Sequence, residues 1–331
     1  MYDLHNGLKN KVICITGASG YIGSSLVKEL DNHSIKKLIR VGRKKMKILP
    51  NIEDWVLDLK NYNSWRKIVK QADIIFHLSG NTSINSSEND PDNEFISETL
   101  PITNLVKASK ELNRNPRVIY ASTATIYGLT EELPVKEEHF PIPITKYDSN
   151  KLHAEKHLKM ASKENIIESI SLRLANVYGP SVNESSSYDR GILSKITKLS
   201  FENKKIPMYG AGNYIRDYIY IDDVVNAFLL SSIFNYEEIR QSSEIVFNVS
   251  SGKGTHVKTV FNMISKEVEK ITGTNSQIES VPWPSHVNDI EKRNFIGSSK
   301  RLKSLTGWAP ETSILDGIHL LVNHYSKDYI K

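Results

Sequence analysis

Apolar residues in this chain gather in short, nearly continuous runs rather than in strict alternation. Val12-Ile13-Cys14-Ile15, Leu38 to Val41, Trp55 to Leu57, Ile74 to Leu78 and Val118 to Tyr120 follow one another, and a sixth run, Ile170 to Leu174, is broken by Ser171 and Arg173. Runs of this kind, rich in β-branched residues, predict strands that are buried on both faces. The segments between them have helical character, as in Ser24 to Leu30 and in the stretch that starts near Tyr147. Strand and helix in alternation predict an α/β fold, with a Rossmann-like, doubly wound parallel sheet.

After residue 175 the texture changes. The polar loop Asn183-Glu184-Ser185-Ser186-Ser187 and the turn-rich stretches Pro207 to Gly212 and Pro282-Trp283-Pro284 separate shorter elements. They predict a smaller second domain. Asp222 to Ser231 followed by Ile245 to Val249 looks like one more helix and strand returning to the main sheet, so the two domains are expected to interleave.

Composition narrows the function classes. Lys plus Arg is 43 against 38 Asp plus Glu in 331 residues, a net charge of +5. That excess is too small for a sequence-independent nucleic-acid binder, whereas an anionic small molecule remains a plausible ligand. The single cysteine, Cys14, excludes an intrachain disulfide framework and fits a reducing compartment, so a cytoplasmic protein is expected. Met1 to Asn10 has no apolar core of a signal peptide, and no apolar run is long enough to span a bilayer. The histidines show no ligand spacing, so no metal is expected.

The first run leads straight into Thr16-Gly17-Ala18-Ser19-Gly20-Tyr21-Ile22-Gly23, and a helix follows. Three glycines between a first strand and a helix form a G-x-x-G-x-x-G turn. Backbone without Cβ lets a pyrophosphate approach, and the free N–H groups at the helix start bind its charge. Taken alone the spacing also suits any tight turn, but its place in a strand, turn and helix unit points to a dinucleotide held by Gly17, Ser19, Gly20, Tyr21, Ile22 and Gly23. No acidic residue closes the second strand to accept the ribose 2′-OH. Arg43, Lys44 and Lys45 stand there instead, and Arg43 or Lys44 suits a 2′-phosphate, which favours NADP over NAD. A solvated basic loop continuing to Lys47 is the alternative. Asp58-Leu59, after the third run, is placed to meet the adenine.

Tyr147 and Lys151 are four residues apart at a helix start, so both side chains lie on one face. A cation about 4 Å from a phenol, at an effective dielectric near 20, is worth roughly 4 kcal/mol. That bounds the lowering of the tyrosine pKa at about three units, towards neutrality, before desolvation opposes it. The run Tyr120-Ala121-Ser122-Thr123 ends the fifth strand at the carboxyl edge of the sheet, where ligands of such folds bind, and makes Thr123 the candidate substrate hydrogen-bonder.

With these residues in order, the chain resembles the extended short-chain dehydrogenase/reductases that act on nucleotide sugars, the epimerases, dehydratases and reductases. The resemblance runs from Thr16 to Trp308. It adds His77-Leu78-Ser79-Gly80, where the family commonly has His-Leu-Ala-Ala, and so implies cofactor contacts at Leu78, Ser79 and Gly80. Leu172 to Pro180 resembles the family segment whose Asn lies near the substrate diphosphate, here Asn176. Tyr209 to Tyr218 resembles the glycine turn and Arg-Asp pair that bind the substrate nucleotide, here through Arg216. The stretch around Arg293 and Lys300 to Trp308 matches the segment with a phosphate-binding arginine.

The resemblance implies an NAD(P)-dependent enzyme acting on a nucleotide-diphosphate sugar by hydride transfer at C4, with Thr123, Tyr147 and Lys151 catalytic and Tyr147 and Lys151 also touching the cofactor. It further implies a homodimer. Dehydratases of the family carry an Asp-Glu pair directly after the Thr, whereas Ala124 and Thr125 stand here. A 4-epimerase is therefore expected first, then a 4-keto reductase or 4-dehydrogenase, then a non-catalytic NAD(P)-binding regulator. Residues 1–175 with about 222–250 are expected to bind the dinucleotide, and residues 176–221 and 251–331 the nucleotide sugar. Pocket-lining residues between Val182 and Ser200 are expected to select the sugar. Two departures stand out: Glu98 takes a place where an Asn near the cofactor is common, and Pro101 should interrupt the helix Glu94 to Leu112.

Overall fold

The computed structural model describes residues 2–44, 52–80, 90–182, 191–240, 245–284 and 288–329. Lys45, Lys47 and the loop Asn183 to Ser187 lie outside them. Seven strands form one parallel sheet: β1 Val12–Thr16, β2 Lys37–Gly42, β3 Ile52–Val56, β4 Ile74–His77, β5 Arg117–Thr123, β6 Glu168–Leu174 and β10 Val246–Val249. Their order, β10-β6-β5-β4-β1-β2-β3, reverses direction between β1 and β4, which puts a crevice at the carboxyl ends of those two strands. The expected doubly wound sheet is thus present, and the late strand does return to it beside β6.

Alternation within each strand supplies both faces. Ile13 and Ile15 of β1 enter a core with Leu26, Leu30, Val224 and Phe228, while Cys14 enters the opposite core with Ile68, Leu105 and Leu158. The first face is covered by α2 Tyr21–Leu30 and α7 Ile221–Ile233, and the second by α3 Tyr62–Gln71, α4 Pro91–Glu111 and α5 Lys146–Lys163, after a short α1 Leu4–Leu8. Burial holds Cys14 as a thiol, with its pKa pushed far up.

Three differences from the sequence-based expectations have physical causes. β3 begins at Ile52, earlier than the apolar run, because an edge strand is half exposed and its Glu53 and Asp54 break the run. Arg40, in the middle of β2, is buried because Asp54 on β3 sits directly opposite and accepts from Nε at 2.6 Å and Nη2 at 2.7 Å. Pro101 does not end its helix: α4 continues through it and forgoes only the bond that an amide there would make to the Ser97 carbonyl.

The remaining elements pack around a separate core of Tyr178, Ile196, Met208, Phe261, Ile264 and Tyr325. They comprise β7 Asn176–Tyr178, α6 Ile192–Phe201, β8 Ile206–Tyr209, β9 Ile215–Tyr220, β11 Gly254–His256, α9 Val257–Thr272, β12 Ile278–Val281 and α11 Ile314–Tyr329, whereas α8 Glu237–Arg240 and α10 Lys300–Thr306 pack on the main-sheet core through Ile239 and Leu302. β11, β9 and β7 form one small sheet and β12 pairs with β8. Tyr21 and Ile22, at the start of α2, pack against this core, and the Tyr21 hydroxyl donates to the Gly179 carbonyl at 2.9 Å. The glycine turn is therefore fastened to both parts of the molecule. Among the described residues no helix is long and apolar enough to cross a membrane.

Candidate active site

The turn after β1 works only with glycine. Gly17 has φ +70°, and a Cβ there would meet the Ser79 nitrogen at 2.8 Å and the Leu78 carbonyl at 2.9 Å. A Cβ on Gly23 would strike the Gly17 carbonyl, so the first turn of α2 lies flush on the loop. Gly20 caps that helix without a side chain. The segment beside the loop is braced from below: the Thr16 hydroxyl meets His77 Nδ1 at 2.7 Å and accepts from the Ser79 hydroxyl at 3.1 Å. His77 is packed between Trp65 and Tyr120, and burial with the nearby Lys151 charge pushes its pKa down to about 3. It is a neutral strut.

These features fit a dinucleotide pyrophosphate: open backbone N–H groups at a helix start, beside a strip from Leu78 to Gly80 whose Ser79 hydroxyl is turned back onto Thr16. Arg43 and Lys44 are exposed just past β2. Asp58 is exposed past β3 with its carboxylate turned back to the Lys60 amide at 2.9 Å, and the Leu59 carbonyl accepts from the Trp65 indole at 2.8 Å. All four stand at the carboxyl edge that the glycine turn occupies.

Thr123, Tyr147 and Lys151 meet next to this strip. Thr123 ends β5, and Thr145 caps α5 by accepting from the Asp148 amide at 3.1 Å, which sets Tyr147 and Lys151 on the first two turns. The Thr123 hydroxyl stands close enough to the Tyr147 phenol to favour its ionised form. Lys151 is 5% exposed, with its ammonium 5.9 Å from the centre of the Tyr147 ring and donating to the Ala121 carbonyl at 3.2 Å.

The lowering of the Tyr147 pKa that Lys151 could supply is more than offset. Burial raises the Tyr147 pKa most, Lys151 pulls it down, and Glu98 and Asp148 push it up again, so the phenol stays above its ordinary value. The cause is visible: Glu98 Oε1 takes the Lys151 ammonium at 2.8 Å. Lys151 keeps its proton firmly, because Glu98 and Tyr147 outweigh the penalty of burial.

Two residues near the site were not among the candidates. Asp148, fully buried, accepts from the Thr145 hydroxyl at 2.7 Å and from the Thr125 hydroxyl, which in turn meets Thr123 Oγ1 at 2.8 Å. Its sequence signal is the Thr145-x-x-Asp148 spacing of a helix N-terminus. Tyr120 donates its hydroxyl to Glu98, a contact that only the fold reveals.

The arginines implied by the resemblance do converge. Arg216, on β9, donates to the carbonyls of Ile215, Glu291 and Arg293, and Arg293 donates to the Ile290 carbonyl at 2.9 Å. Both are buried, and Arg293 Nε has no partner among the described residues. Burial, with Arg216's charge beside it, pushes the Arg293 pKa down to about 10, while Asp148 acts the other way. Two crowded cations, with no carboxylate paired directly to either among the described residues, call for an anion. Asn176 donates to the Asp217 carbonyl at 3.0 Å. Asp217, fully buried, accepts from the amides of Ser251, Gly252 and Gly297 and so ties two loops to β9.

The chain as a whole is similar to known proteins. The chain is 27% identical over 317 residues to a putative UDP-glucose 4-epimerase of Methanocaldococcus jannaschii, covering 94% of this chain and 97% of that protein. It is 26% identical to the UDP-glucose 4-epimerase of Lacticaseibacillus casei, over 92% and 94% of the two chains. The crystal structure of the UDP-glucose 4-epimerase of Thermotoga maritima with UDP-glucose superposes with a TM-score of 0.82 at 26% identity, covering 96% of this chain and 99% of that one. The model of the NAD dependent epimerase/dehydratase family matches residues 13–247, and the chain belongs to that family.

Proposed function

We propose that the protein is a nucleotide-sugar 4-epimerase, with a UDP-hexose as the first substrate to test. The observation that carries it is the meeting of Thr123, Tyr147 and Lys151 beside the glycine turn, with Ala124 and Thr125 where a dehydratase would need an acid and a base. Ala124 is buried and the Thr125 hydroxyl is tied to Asp148, so neither serves elimination of water. The chain matches the relatives named above, one putative and two named UDP-glucose 4-epimerases, over nearly their whole length.

When bound, a nicotinamide supplies reversible hydride acceptance. Tyr147 takes the proton from the C4 hydroxyl and later returns it, and Thr123 holds that oxygen through its own hydroxyl. Lys151 stabilises the phenolate. The nicotinamide cation would add the charge that Glu98 withdraws from the pair. Gly17, Ser19, Gly20, Tyr21, Ile22 and Gly23 receive the pyrophosphate, with Leu78, Ser79 and Gly80 beside the nicotinamide half and Asp58 and Leu59 beside the adenine. Arg43 and Lys44 favour a 2′-phosphate and hence NADP. Arg216 and Arg293 receive the substrate diphosphate, and Asn176 lies next to it. In this division the main sheet serves the cofactor, and residues 176–221 with 251–331 serve the nucleotide sugar.

Denaturing the purified protein and identifying the released dinucleotide tests the cofactor. Fresh enzyme is then incubated with UDP-, GDP-, CDP- and dTDP-hexoses and no added cofactor. Stereochemical conversion without net change in nicotinamide absorbance is expected. Activity only with added NADPH and a 4-keto sugar nucleotide would replace the epimerase with the reductase that the basic end of β2 also suits. A homodimer goes with the proposal: Phe95 and Ile96 on α4 and Met160 on α5 are exposed, and light scattering reads the mass.

A further inference from the structure

Two carboxylates are buried against cations beneath the carboxyl edge of the sheet, and they differ. Glu155 uses both oxygens: Arg173 Nε donates to Oε1 at 3.0 Å and Nη2 to Oε2 at 2.7 Å. Glu98 is buried as deeply, 2% exposed against 3%, yet uses one. Its Oε1 takes the Lys151 ammonium and the Tyr120 hydroxyl, while Oε2 has no partner among the described residues. That bare oxygen lies 2.6 Å from the point where a side chain on Gly80 would begin, and Lys151 Nζ lies 3.2 Å from the same point. A buried charged oxygen without a donor is costly, so its retention implies a donor that arrives with a ligand.

We propose that Glu98 is a positioning residue: Oε1 holds the Lys151 ammonium beside Tyr147, and Oε2 accepts a sugar hydroxyl of the bound dinucleotide. This rests on the assignment of Tyr147 as the base. An amide in its place would keep the position but not the charge. The groups around Glu98 are Glu94 on its own helix, His77 on β4, Tyr120 on β5, and Tyr147, Asp148, Lys151 and Glu155 on α5. Of these, Lys151 carries the one positive charge, since His77 is neutral. Glu98 therefore opposes the loss of a proton from the Tyr147–Lys151 pair, and the pH at which that pair titrates depends on it.

The test uses wild type, E98Q and E98D, stripped of dinucleotide and reloaded, with Y147F as the spectroscopic baseline. Tyrosinate absorbance is titrated in the stripped proteins, dinucleotide affinity is measured at one pH, and turnover is followed against pH. E98Q should bind dinucleotide about tenfold more weakly. Its tyrosinate should appear about one pH unit lower, and the acid limb of turnover should move with it. E98D keeps the charge, so its titration should match wild type while its affinity falls. Wild-type affinity in E98Q, or a loss of rate with the titration unmoved, overturns the proposal and leaves Glu98 a packing residue. Should E98Q fail to fold, unchanged affinity in E98D overturns it alone. Turnover by Y147F would instead remove the base assignment, and the affinity losses would still stand.

Discussion

The cofactor edge and the arginine side of the site are built on different plans. At the glycine turn the binding surface is backbone, shaped by sterics at Gly17 and Gly23 and braced by Thr16 and His77. On the other side the binding groups are the guanidinia of Arg216 and Arg293, resting on backbone carbonyls at residues 215, 290, 291 and 293. A backbone site tolerates almost no substitution, whereas a charged one loses affinity in proportion to the charge removed.

Tyr147→Phe tests the point where the two sides meet and should have the largest effect. Turnover should fall by at least about 10³-fold, within the range of general acid–base catalysis, with released dinucleotide and thermal midpoint near wild type. Retained turnover, read by product stereochemistry, would remove the assigned base. Gly23→Ala attacks the cofactor edge alone. Its Cβ would strike the Gly17 carbonyl, so α2 must shift and the purified protein should carry little dinucleotide, as read by the absorbance of the denatured extract. A full complement would mean that the turn yields more easily than its geometry implies.

Arg293→Met attacks the other side. Losing a charge-assisted bond should raise the KM for the nucleotide sugar about tenfold while bound dinucleotide is unchanged. If dinucleotide is lost instead, the two sides are not separate.

Much of the cofactor edge was legible in the sequence because backbone sterics have a residue code. Glycines at fixed spacing after a β-branched run, and Tyr147 with Lys151 one helical turn apart, need no knowledge of what is distant in the chain. Glu98 meeting Lys151, Asp148 meeting Thr125, and Arg216 meeting Arg293 are contacts between residues 23 to 77 positions apart. Nothing local announces them. The helix α4 shows the same limit in reverse, since Pro101 signals a break locally but packing against the sheet carries the helix through.

The brace under the turn gives a pH signature of intermediate size. His77 has its pKa lowered from 6.5 to about 3 in the fold, so below pH 6.5 the unfolded chain binds a proton that the folded one refuses. Stability should therefore fall as pH drops through that window, by up to about 1.4 kcal/mol per unit. Urea unfolding of wild type and His77→Gln from pH 7 to 5 isolates the contribution, which should vanish in the variant. An equal slope in both would place the acid sensitivity elsewhere.

The smallest effect is expected at the rim of the cofactor edge, where the plan changes from backbone to charge. Arg43 and Lys44 are exposed, so salt screens them and each contributes modestly. Replacing both by alanine should weaken binding of NADP about tenfold in low salt, less in high salt, and leave NAD binding as it was. The same pair of measurements ranks the two parts of that edge: Gly23→Ala should harm both dinucleotides equally, because the pyrophosphate is common to them. Equal loss for NAD and NADP in the alanine variant would show that the two cations act on the pyrophosphate as well, and the basic end of β2 would no longer argue for a 2′-phosphate.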